Sequence, residues 1–414
     1  MRLLPTIGLA VAALSLVVAA CDTDVSNPGP VQDEFLADTA AFPALLNGAG
    51  RAVAEGINWV AYTGASVARE IHPAGSTGSF GITPSWQQGI LSADDADLDV
   101  HWEQAQQARW VAEQAAGRME EKSARATLLA QVYLYAGYAN RLLGENMCQA
   151  VINGSGALPS TDFLTRAEEW FSKAAQVGMG DVQTAAFAGR ASVRVSLGTW
   201  AEAVADAGQV PTSFSYAIPY FDTGDNDQRN RIHWASANRP YRAHTQWNTV
   251  YEQYFRDTQD PRVAWTETEL TGDAALECCD RVPWYPQQKY PTPASAVRMS
   301  SGREMRLIEA ESQLLSGNWQ QALVTINALR TETGVPEWTA ASEAEAWAHL
   351  KRERGIELWL EGRRLGDLRR WAEGNTPGEL DPLEIPGPAS HLTAQDRCFP
   401  ISLSERQTNP NFTS

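Results

Sequence analysis

The sequence predicts a mostly α-helical fold, in which a scaffold of paired helices carries one loop-rich, aromatic-rich insertion. Three observations predict it. Apolar residues recur every three or four positions through most of residues 35–210 and 301–372. Two segments in these regions share a helix–turn–helix pattern. Residues 211–300 lose the helical period and hold eight prolines, four tryptophans and seven tyrosines.

The composition excludes several classes of protein. Of the 414 residues, 43% are hydrophobic and only 20% are charged, which is too apolar for a disordered chain. The net charge of −17 argues against a nucleic-acid partner, because no basic stripe is available to neutralise phosphates. Five cysteines are too few for a disulfide scaffold.

The first element is an export signal. Residues 3–20 are almost wholly apolar, Arg2 precedes them and Cys21 follows at once. The segment VAAC at this point looks like a bacterial lipobox, so residues 1–20 are predicted to be removed and Cys21 to carry lipid. An uncleaved anchor helix and a plain secretory signal are the alternatives. Residues 21–34, which contain proline and glycine, read as the lipidated cysteine and a flexible tether.

The body of the protein is predicted to be a single domain over residues 35–414. Helical blocks cover about 35–210 and 301–372, the loop-rich region covers about 211–300, and residues 373–414 wrap the surface. The strongest periodic segments are 102–119, 124–143, 163–177, 184–197, 200–210, 303–330 and 342–371.

A repeat lies within the helical blocks. ASVRVSLGTWAEAV and AESQLLSGNWQQAL align with an offset of 119 residues, which matches Gly198 to Gly317 and Trp200 to Trp319. In each copy the glycine ends one helix in a left-handed turn and the aromatic residue opens the next. This pattern is typical of tetratricopeptide-like helix pairs, which share a continuous core. Two unrelated helical hairpins are the alternative.

Residues 351–371, KRERGIELWLEGRRLGDLRRW, carry a family resemblance. Their Glu-Arg, Glu-Leu, Glu-Gly-x-Arg and Asp-Leu-x-Arg-Trp groups resemble the most recognisable helix of the SusD/RagB family. Residues 303–311, 326–334 and 399–410 resemble other segments of the family more weakly, and they occur in the same order along the chain. Residues 145–155 depart from the Gly-Asp-Val-Pro type that is commoner in the family.

The resemblance implies a SusD-like, cell-surface outer-membrane lipoprotein that takes part in nutrient uptake. Its partner would be a SusC-like TonB-dependent transporter, over whose mouth it would sit as a lid, and its membrane contact would be the lipid on Cys21. Capture of a glycan or oligosaccharide would be non-covalent. The resemblance therefore implies no catalytic residue, no cofactor and no metal. Peptides are an alternative ligand, because the family serves both.

The charged residues of 351–371 also have an interpretation without the family. On a single helix Glu353, Glu357 and Glu361 form one acidic stripe at i, i+4 and i+8. Carboxylates among arginines could carry acid–base chemistry, but a structural salt-bridge network is the favoured interpretation.

No catalytic or metal motif is present. The six histidines are scattered without zinc-hydrolase spacing, and no phosphate loop or nucleophile elbow occurs. Asp95, Asp97 and Asp99 imitate the start of a calcium loop, but Val100 replaces the glycine that the loop needs, so an exposed acidic turn is expected. Cys278 and Cys279, being adjacent, are not expected to bond to each other.

The remaining cysteines leave the disulfide pairing open. Cys278 and Cys279 each reach a different partner, or Cys148 pairs with Cys398.

Aromatic residues among polar ones are the best signal for a ligand site. Trp and Tyr rings stack on the apolar faces of sugars, whose hydroxyl groups need polar side chains at the rim. Residues 232–247 and the following Trp-Tyr pair supply both kinds of group. The candidate ligand-binding residues are Trp234, Tyr241, Trp247, Asn238, Arg242, Trp284 and Tyr285. For any one of these rings, core packing is the alternative.

Two other functions remain open from the sequence. An exported glycoside hydrolase or lyase would need two carboxylates about 5–10 Å apart in a Trp-lined cleft. Asp94, Asp95, Glu267 and Glu269 are the only suggestive groups. A repeat adaptor that binds proteins and no sugar is the second.

Overall fold

The computed structural model describes Leu36 and residues 38–75 and 83–412. The predicted export signal, Cys21 and the tether lie outside these residues. The α-helices are α1 Phe42–Val67, α2 Pro84–Gln87, α3 Asp99–Glu121, α4 Ala126–Asn146, α5 Thr161–Val177, α6 Gly180–Leu197, α7 Trp200–Ala207, α8 Arg231–Ser236, α9 Val250–Thr258, α10 Gly302–Leu315, α11 Trp319–Thr333, α12 Glu343–Glu357, α13 Arg364–Glu373 and α14 Leu403–Thr408. The prediction of a mostly helical fold is confirmed.

The strands are short and form three antiparallel pairs. They are β1 His72–Pro73, β2 Gln149–Ala150, β3 Leu158–Pro159, β4 Ser215–Ile218, β5 His244–Thr245 and β6 Val297–Ser301. β1 pairs with β5, β2 with β3, and β4 with β6. The β4–β6 pair joins the two ends of the segment between α7 and α10, so the chain leaves and re-enters the helical scaffold at one place.

Successive helices pack side by side in an array. α1 packs against α3, α3 against α4, α4 against α5, and α5 against α6. The array continues through α7 and α10 to α11 and α12. One large core runs through it, with a smaller cluster where α6 and α7 meet α10. Buried alanines, such as Ala105, Ala108 and Ala112 on α3, let neighbouring helices approach closely.

The predicted repeat is confirmed. α6 ends at Leu197 and Gly198 follows with φ 77°, while Gly317 after α10 has φ 74°. A glycine adopts this left-handed conformation without the steric cost that a Cβ would add. In each copy the next helix begins two residues later, at Trp200 and Trp319.

Residues 342–371 do not form the single helix that the period predicts. α12 ends at Glu357, and the chain turns through Leu360 and Gly362, which have φ values of 60° and 70°, before α13. Glu70, just after α1, holds this turn, because its carboxylate Oε1 accepts a hydrogen bond from the Leu360 amide at 2.9 Å. Glu361 therefore lies in the turn, outside the helical stripe.

The last long helix returns to the first. α13 packs against α4 and α1. Arg363, just before it, donates to Glu145 at 2.8 Å and pairs with Glu304 at 2.9 Å. Buried ion pairs of this geometry fix the position of both partners, because removing either one leaves a buried charge uncompensated. Among the described residues, no helix is long and apolar enough to cross a membrane.

One predicted disulfide pairing is confirmed and one expectation is wrong. Cys148, after α4, is bonded to Cys398 in the C-terminal segment, 250 residues away. Cys278 and Cys279 are bonded to each other. They lie in a tight turn that Leu276 and Asp280 close with reciprocal main-chain hydrogen bonds of 2.9 and 3.2 Å. This turn keeps the two cysteines together and away from the Cys148–Cys398 pair.

Candidate functional site

The pairing of β1 with β5 builds the candidate site. After α1, Arg69 takes a positive φ of 59° and turns the chain into β1, where His72 pairs with Thr245 and Pro73 with His244. The loop that follows α8 is thereby joined to the end of the first long helix. Aromatic side chains from α8, from the loops around β5, from β1 and from the C-terminal segment come together here. We call Trp234, Tyr241, Trp247, His72 and His391 together the loop surface, of which His72 is the buried member.

Trp247 lies on one side of β5, at the edge of the loop surface. Its indole is half-buried and meets the buried His72 ring edge-on, with 5.1 Å between centroids. The His391 ring also meets the His72 ring edge-on, with 5.8 Å between centroids. Asn248, next to Trp247, donates to the Ala389 carbonyl at 2.9 Å and so ties the two loops together. The Trp247 ring is therefore held in place while part of it faces solvent.

Trp234 and Tyr241 form a second aromatic pair on the loop surface. Their ring centroids are 4.9 Å apart, and 37% of Tyr241 is exposed. The guanidinium of Arg229 lies 5.2 Å from the Trp234 ring. Asn230 caps α8 by accepting from the His233 amide at 2.9 Å, which fixes the helix that carries Trp234.

Asn238 and Arg242 shape the turn between these two aromatic groups. The Asn238 carbonyl accepts from the amides of Tyr241 and Arg242, at 3.1 and 3.3 Å. The Arg242 guanidinium donates to the Thr271 carbonyl at 2.8 Å. Asn238 thus acts through its main chain, and Arg242 links the turn to the loop before β6.

Trp284 and Tyr285 are buried, with 3% and 9% of their surfaces exposed. Trp284 donates from its indole nitrogen to the His244 carbonyl at 3.1 Å, which supports β5 from below. Tyr285 stacks on Trp265 at 4.8 Å. Both side chains are therefore buried. They support the site by packing instead of presenting an exposed ring to a ligand.

The histidines are the site residues that sequence reasoning missed. His244 bonds to the Tyr62 hydroxyl at 3.0 Å, and burial, followed by the charge of Arg69, lowers its pKa to about 3. It is therefore neutral at pH 7 and structural. His72 and His244 are 172 positions apart in the chain, so no local spacing could bring them to notice.

A second concavity lies between α9, α11, α12 and residues 379–384, with a volume of about 600 Å³. Trp338 is its main aromatic side chain. The Arg330 guanidinium lies 3.9 Å from the centre of its ring, and the His349 ring stacks on it at 4.7 Å. The Trp338 ring is therefore already engaged by a guanidinium and a stacked imidazole.

The carboxylates of residues 351–371 form the structural salt-bridge network that the sequence favours. Glu357 pairs with Arg262, Arg298 and Arg303 at 2.9–3.0 Å. Burial alone would raise the pKa of Glu357, but these arginines outweigh it and lower the pKa. A carboxyl group held ionised in this way cannot serve as a general acid at neutral pH.

Three of the four other acidic residues that could suggest hydrolysis also have structural contacts. Asp94 pairs with Arg406 at 3.0 Å, and Asp95 caps a short 3₁₀ turn by accepting from the Asp97 amide at 3.0 Å. Glu267 pairs with Arg256 at 3.0 Å, and this contact lowers its pKa.

Comparison with known proteins gives a consistent result. Residues 218–413 match the family model of the SusD family. No curated protein matches the sequence. A SusD superfamily protein of Bacteroides vulgatus is similar in structure, with a TM-score of 0.64 at 16% identity, and the match covers 90% of this chain and 98% of that one.

Two further solved structures show the same fold. A SusD-like carbohydrate binding protein of Bacteroides vulgatus matches with a TM-score of 0.61 at 14% identity, over 90% of this chain and 97% of its own. A structure determined with xylogluco-oligosaccharide matches with a TM-score of 0.61 at 14% identity, over 80% of this chain and 82% of its own.

Proposed function

We propose, from the match of residues 218–413 to the SusD family model and from the shared fold, that the protein captures glycans at the cell surface. It binds an oligosaccharide non-covalently on the loop surface and delivers it to a SusC-like TonB-dependent transporter. Binding and release alone make up this function, so it needs no catalytic residue and no cofactor.

The single observation that carries the proposal is the arrangement of Trp247 and the Trp234–Tyr241 pair. These rings flank β5, are partly open to solvent and are fixed by the packing beneath them. A fixed aromatic ring loses little conformational entropy when a sugar stacks on it. Asn248 and Arg229 lie beside the rings and are the polar groups that sugar hydroxyls require.

The comparisons support the same ligand class. One similar structure is described as a carbohydrate binding protein, and another was determined with xylogluco-oligosaccharide. At 14% identity these structures share the fold with this chain, so the particular glycan is left to experiment.

The proposal also covers where the protein acts. The lipobox at Cys21 would anchor the protein to the outer membrane through lipid, and residues 22–34 would act as a tether between lipid and body. A lipid-anchored capture protein delivers its ligand only if a transporter stands beside it. The SusC-like barrel implied by the family resemblance supplies that partner.

The test is a binding screen of purified protein against oligosaccharides and peptides, followed by variants of the loop surface. Trp247→Ala and Trp234→Ala should each weaken glycan affinity about tenfold, which corresponds to roughly 1.4 kcal/mol. Trp110→Ala is the matched control, because Trp110 lies on α3 with 54% of its surface exposed and outside the loop surface. The Trp110→Ala variant should bind the glycan with the same affinity as the wild type.

Other outcomes would contradict the proposal. Unchanged glycan affinity in both loop-surface variants would place the site elsewhere. Binding of peptides alone would favour the peptide-capturing alternative, and cleavage of the added oligosaccharide would favour the hydrolase.

A further inference from the structure

The Cys278–Cys279 pair lies against a histidine from a different part of the chain. One nitrogen of His391 and the two cysteine sulfurs all lie within 4.8 Å of one another. Cys278 is exposed, and Cys279 and His391 are half-buried, so the group can be reached from solvent. Of these three side chains only His391 belongs to the loop surface, through the contact of its ring with His72.

Two tight turns hold the three side chains in place. The cysteine turn is closed by the reciprocal main-chain bonds between Leu276 and Asp280. His391 lies in a second turn, which the Gly387 amide closes by donating to the Leu392 carbonyl at 3.0 Å. His391 itself has a φ of 57° within that turn. Each donor therefore has a defined position before any ligand binds.

The chemistry of this donor set changes with its oxidation state. As a disulfide, the two sulfurs cannot act as thiolates. As two thiols, they join an imidazole in the Cys₂His set that binds zinc and other soft divalent metals. We propose that reduction of the Cys278–Cys279 disulfide creates a zinc site formed by Cys278, Cys279 and His391.

The step balances with one external reductant. A dithiol supplies two electrons and two protons, which break the sulfur–sulfur bond and leave two cysteine thiols, while the dithiol becomes a disulfide. Binding of Zn²⁺ then displaces the two thiol protons to solvent. The imidazole of His391 contributes the third ligand in its neutral form.

The buried side chain of the neighbouring His72 gives independent support for a metal site here. Only 1% of its surface is exposed, and its Nδ1 donates to the Pro73 carbonyl at 2.7 Å. This hydrogen bond fixes the tautomer in which Nε2 carries a free lone pair. Within the described part of the chain, Nε2 has no hydrogen-bond partner. A buried imidazole with its Nδ1–H on a carbonyl is the usual arrangement of a metal ligand, and the His72 ring lies next to His391, with 5.8 Å between centroids.

The experiment uses the full chain with Cys21→Ser, so that Cys21 adds no thiol. The protein is treated with a dithiol, the reductant is removed without air, and Co²⁺ is added as a spectroscopic probe. Reduced protein should bind one equivalent of Co²⁺ with a thiolate charge-transfer band in the near ultraviolet, and Zn²⁺ should displace it. The same protein kept oxidised should show no band.

Variants identify the ligands. Cys148→Ser with Cys398→Ser removes the other disulfide and should leave the band unchanged. Cys278→Ser with Cys279→Ser should abolish it. His391→Ala should weaken Zn²⁺ affinity at least tenfold, whereas His349→Ala, a partly exposed histidine on α12, should leave it unchanged.

Three results would overturn the proposal. They are the absence of a thiolate band in the reduced protein, a band that survives in the Cys278→Ser, Cys279→Ser variant, and equal Zn²⁺ affinity in His391→Ala and the wild type. The comparison of reduced with oxidised wild-type cysteines needs no substitution at the site, so it stands even if a variant folds poorly.

Discussion

At the scale of single residues, Glu70 is a buried ionisable group whose shifted pKa goes with a structural role. It is 1% exposed, and burial raises its pKa to about 7. The Leu360 amide and the charges of Arg364 and Lys289 oppose this rise, and Glu361 adds to it. Glu70 therefore holds the turn before α13 with a carboxyl group that burial makes harder to ionise.

This arrangement predicts a stability that falls with pH. Because the folded pKa of about 7 exceeds the ordinary value of 4.5, the folded state keeps its proton longer. The contribution of Glu70 is full below pH 4.5 and is lost as the pH rises through 7, which amounts to about 3 kcal/mol. Relative to the wild type, the unfolding free energy of Glu70→Gln should increase by about 2.5 kcal/mol between pH 5 and pH 8, because part of the effect is already present at pH 5.

Urea denaturation at a series of pH values measures this difference. Glu357→Gln is the contrasting variant, because its arginine neighbours lower the pKa of Glu357. It should lose stability by an amount that does not grow between pH 5 and pH 8. A constant difference between Glu70→Gln and the wild type would refute the role given to Glu70.

The sequence predicts which segment contributes to the candidate site better than it predicts which individual residues of the site are exposed. Residues 232–247 do supply Trp234, Tyr241 and Trp247 to the loop surface. The prediction that these residues bind a ligand stays a prediction. Composition could not distinguish Trp284, whose ring is buried, because burial depends on which strand passes above it. The contact between His72 and His391 could not be predicted, because the two residues lie near opposite ends of the chain.

At the scale of elements, the paired helices depend on their turns. Gly198 between α6 and α7 has a positive φ, and a Cβ added there would meet no neighbouring atom within 4 Å. Any cost of a side chain there is therefore the cost of the backbone conformation alone. Gly317 occupies the same position in the second copy, with the same open surroundings.

Gly198→Ala should lower the free energy of unfolding by about 1 kcal/mol. Gly48→Ala is the matched control, because Gly48 lies exposed within α1 and a methyl group there also meets nothing within 4 Å. It should raise stability by up to about 1 kcal/mol, since alanine is the better helix former. Equal effects of the two substitutions, measured by chemical denaturation, would contradict the role of the left-handed turn.

Helical periodicity predicted most elements, and it failed where a distant residue intervened. The glycine–aromatic repeat correctly placed the turns before α7 and α11. Over 342–371 the period continued through the break between α12 and α13, because no local signal reveals that Glu70 holds Leu360. The adjacent cysteines were misjudged for a related reason: the tight turn that joins them is set by main-chain hydrogen bonds.

At the scale of the whole molecule, the Cys148–Cys398 disulfide joins the helical array to the C-terminal segment. The cysteines are 250 positions apart, so the bond restricts a large loop of the unfolded chain. Phe399 strengthens the junction, since its amide donates to the Asn146 carbonyl at 2.7 Å and its carbonyl accepts from the Cys148 amide at 2.8 Å.

Cys148→Ser with Cys398→Ser should therefore lower the free energy of unfolding by about 2–5 kcal/mol. The bond between Cys278 and Cys279 closes no loop, because the residues are neighbours. Cys278→Ser with Cys279→Ser should accordingly leave the free energy of unfolding near that of the wild type. Thermal and denaturant unfolding of the two double variants would test this, and an equal loss in both would refute it.

The return of α13 to α4 and α1 has a consequence for resistance to proteolysis. An open helical array frays from its terminal repeats, and each frayed repeat offers backbone to proteases. Here α13, the last long helix, packs against α1, and Arg363 just before it pairs with Glu145 of α4 and Glu304 of α10, so within the described residues both ends of the array are supported. Exposure of the chain to a protease then requires more than the fraying of one terminal repeat, which suits the cell-surface role proposed above.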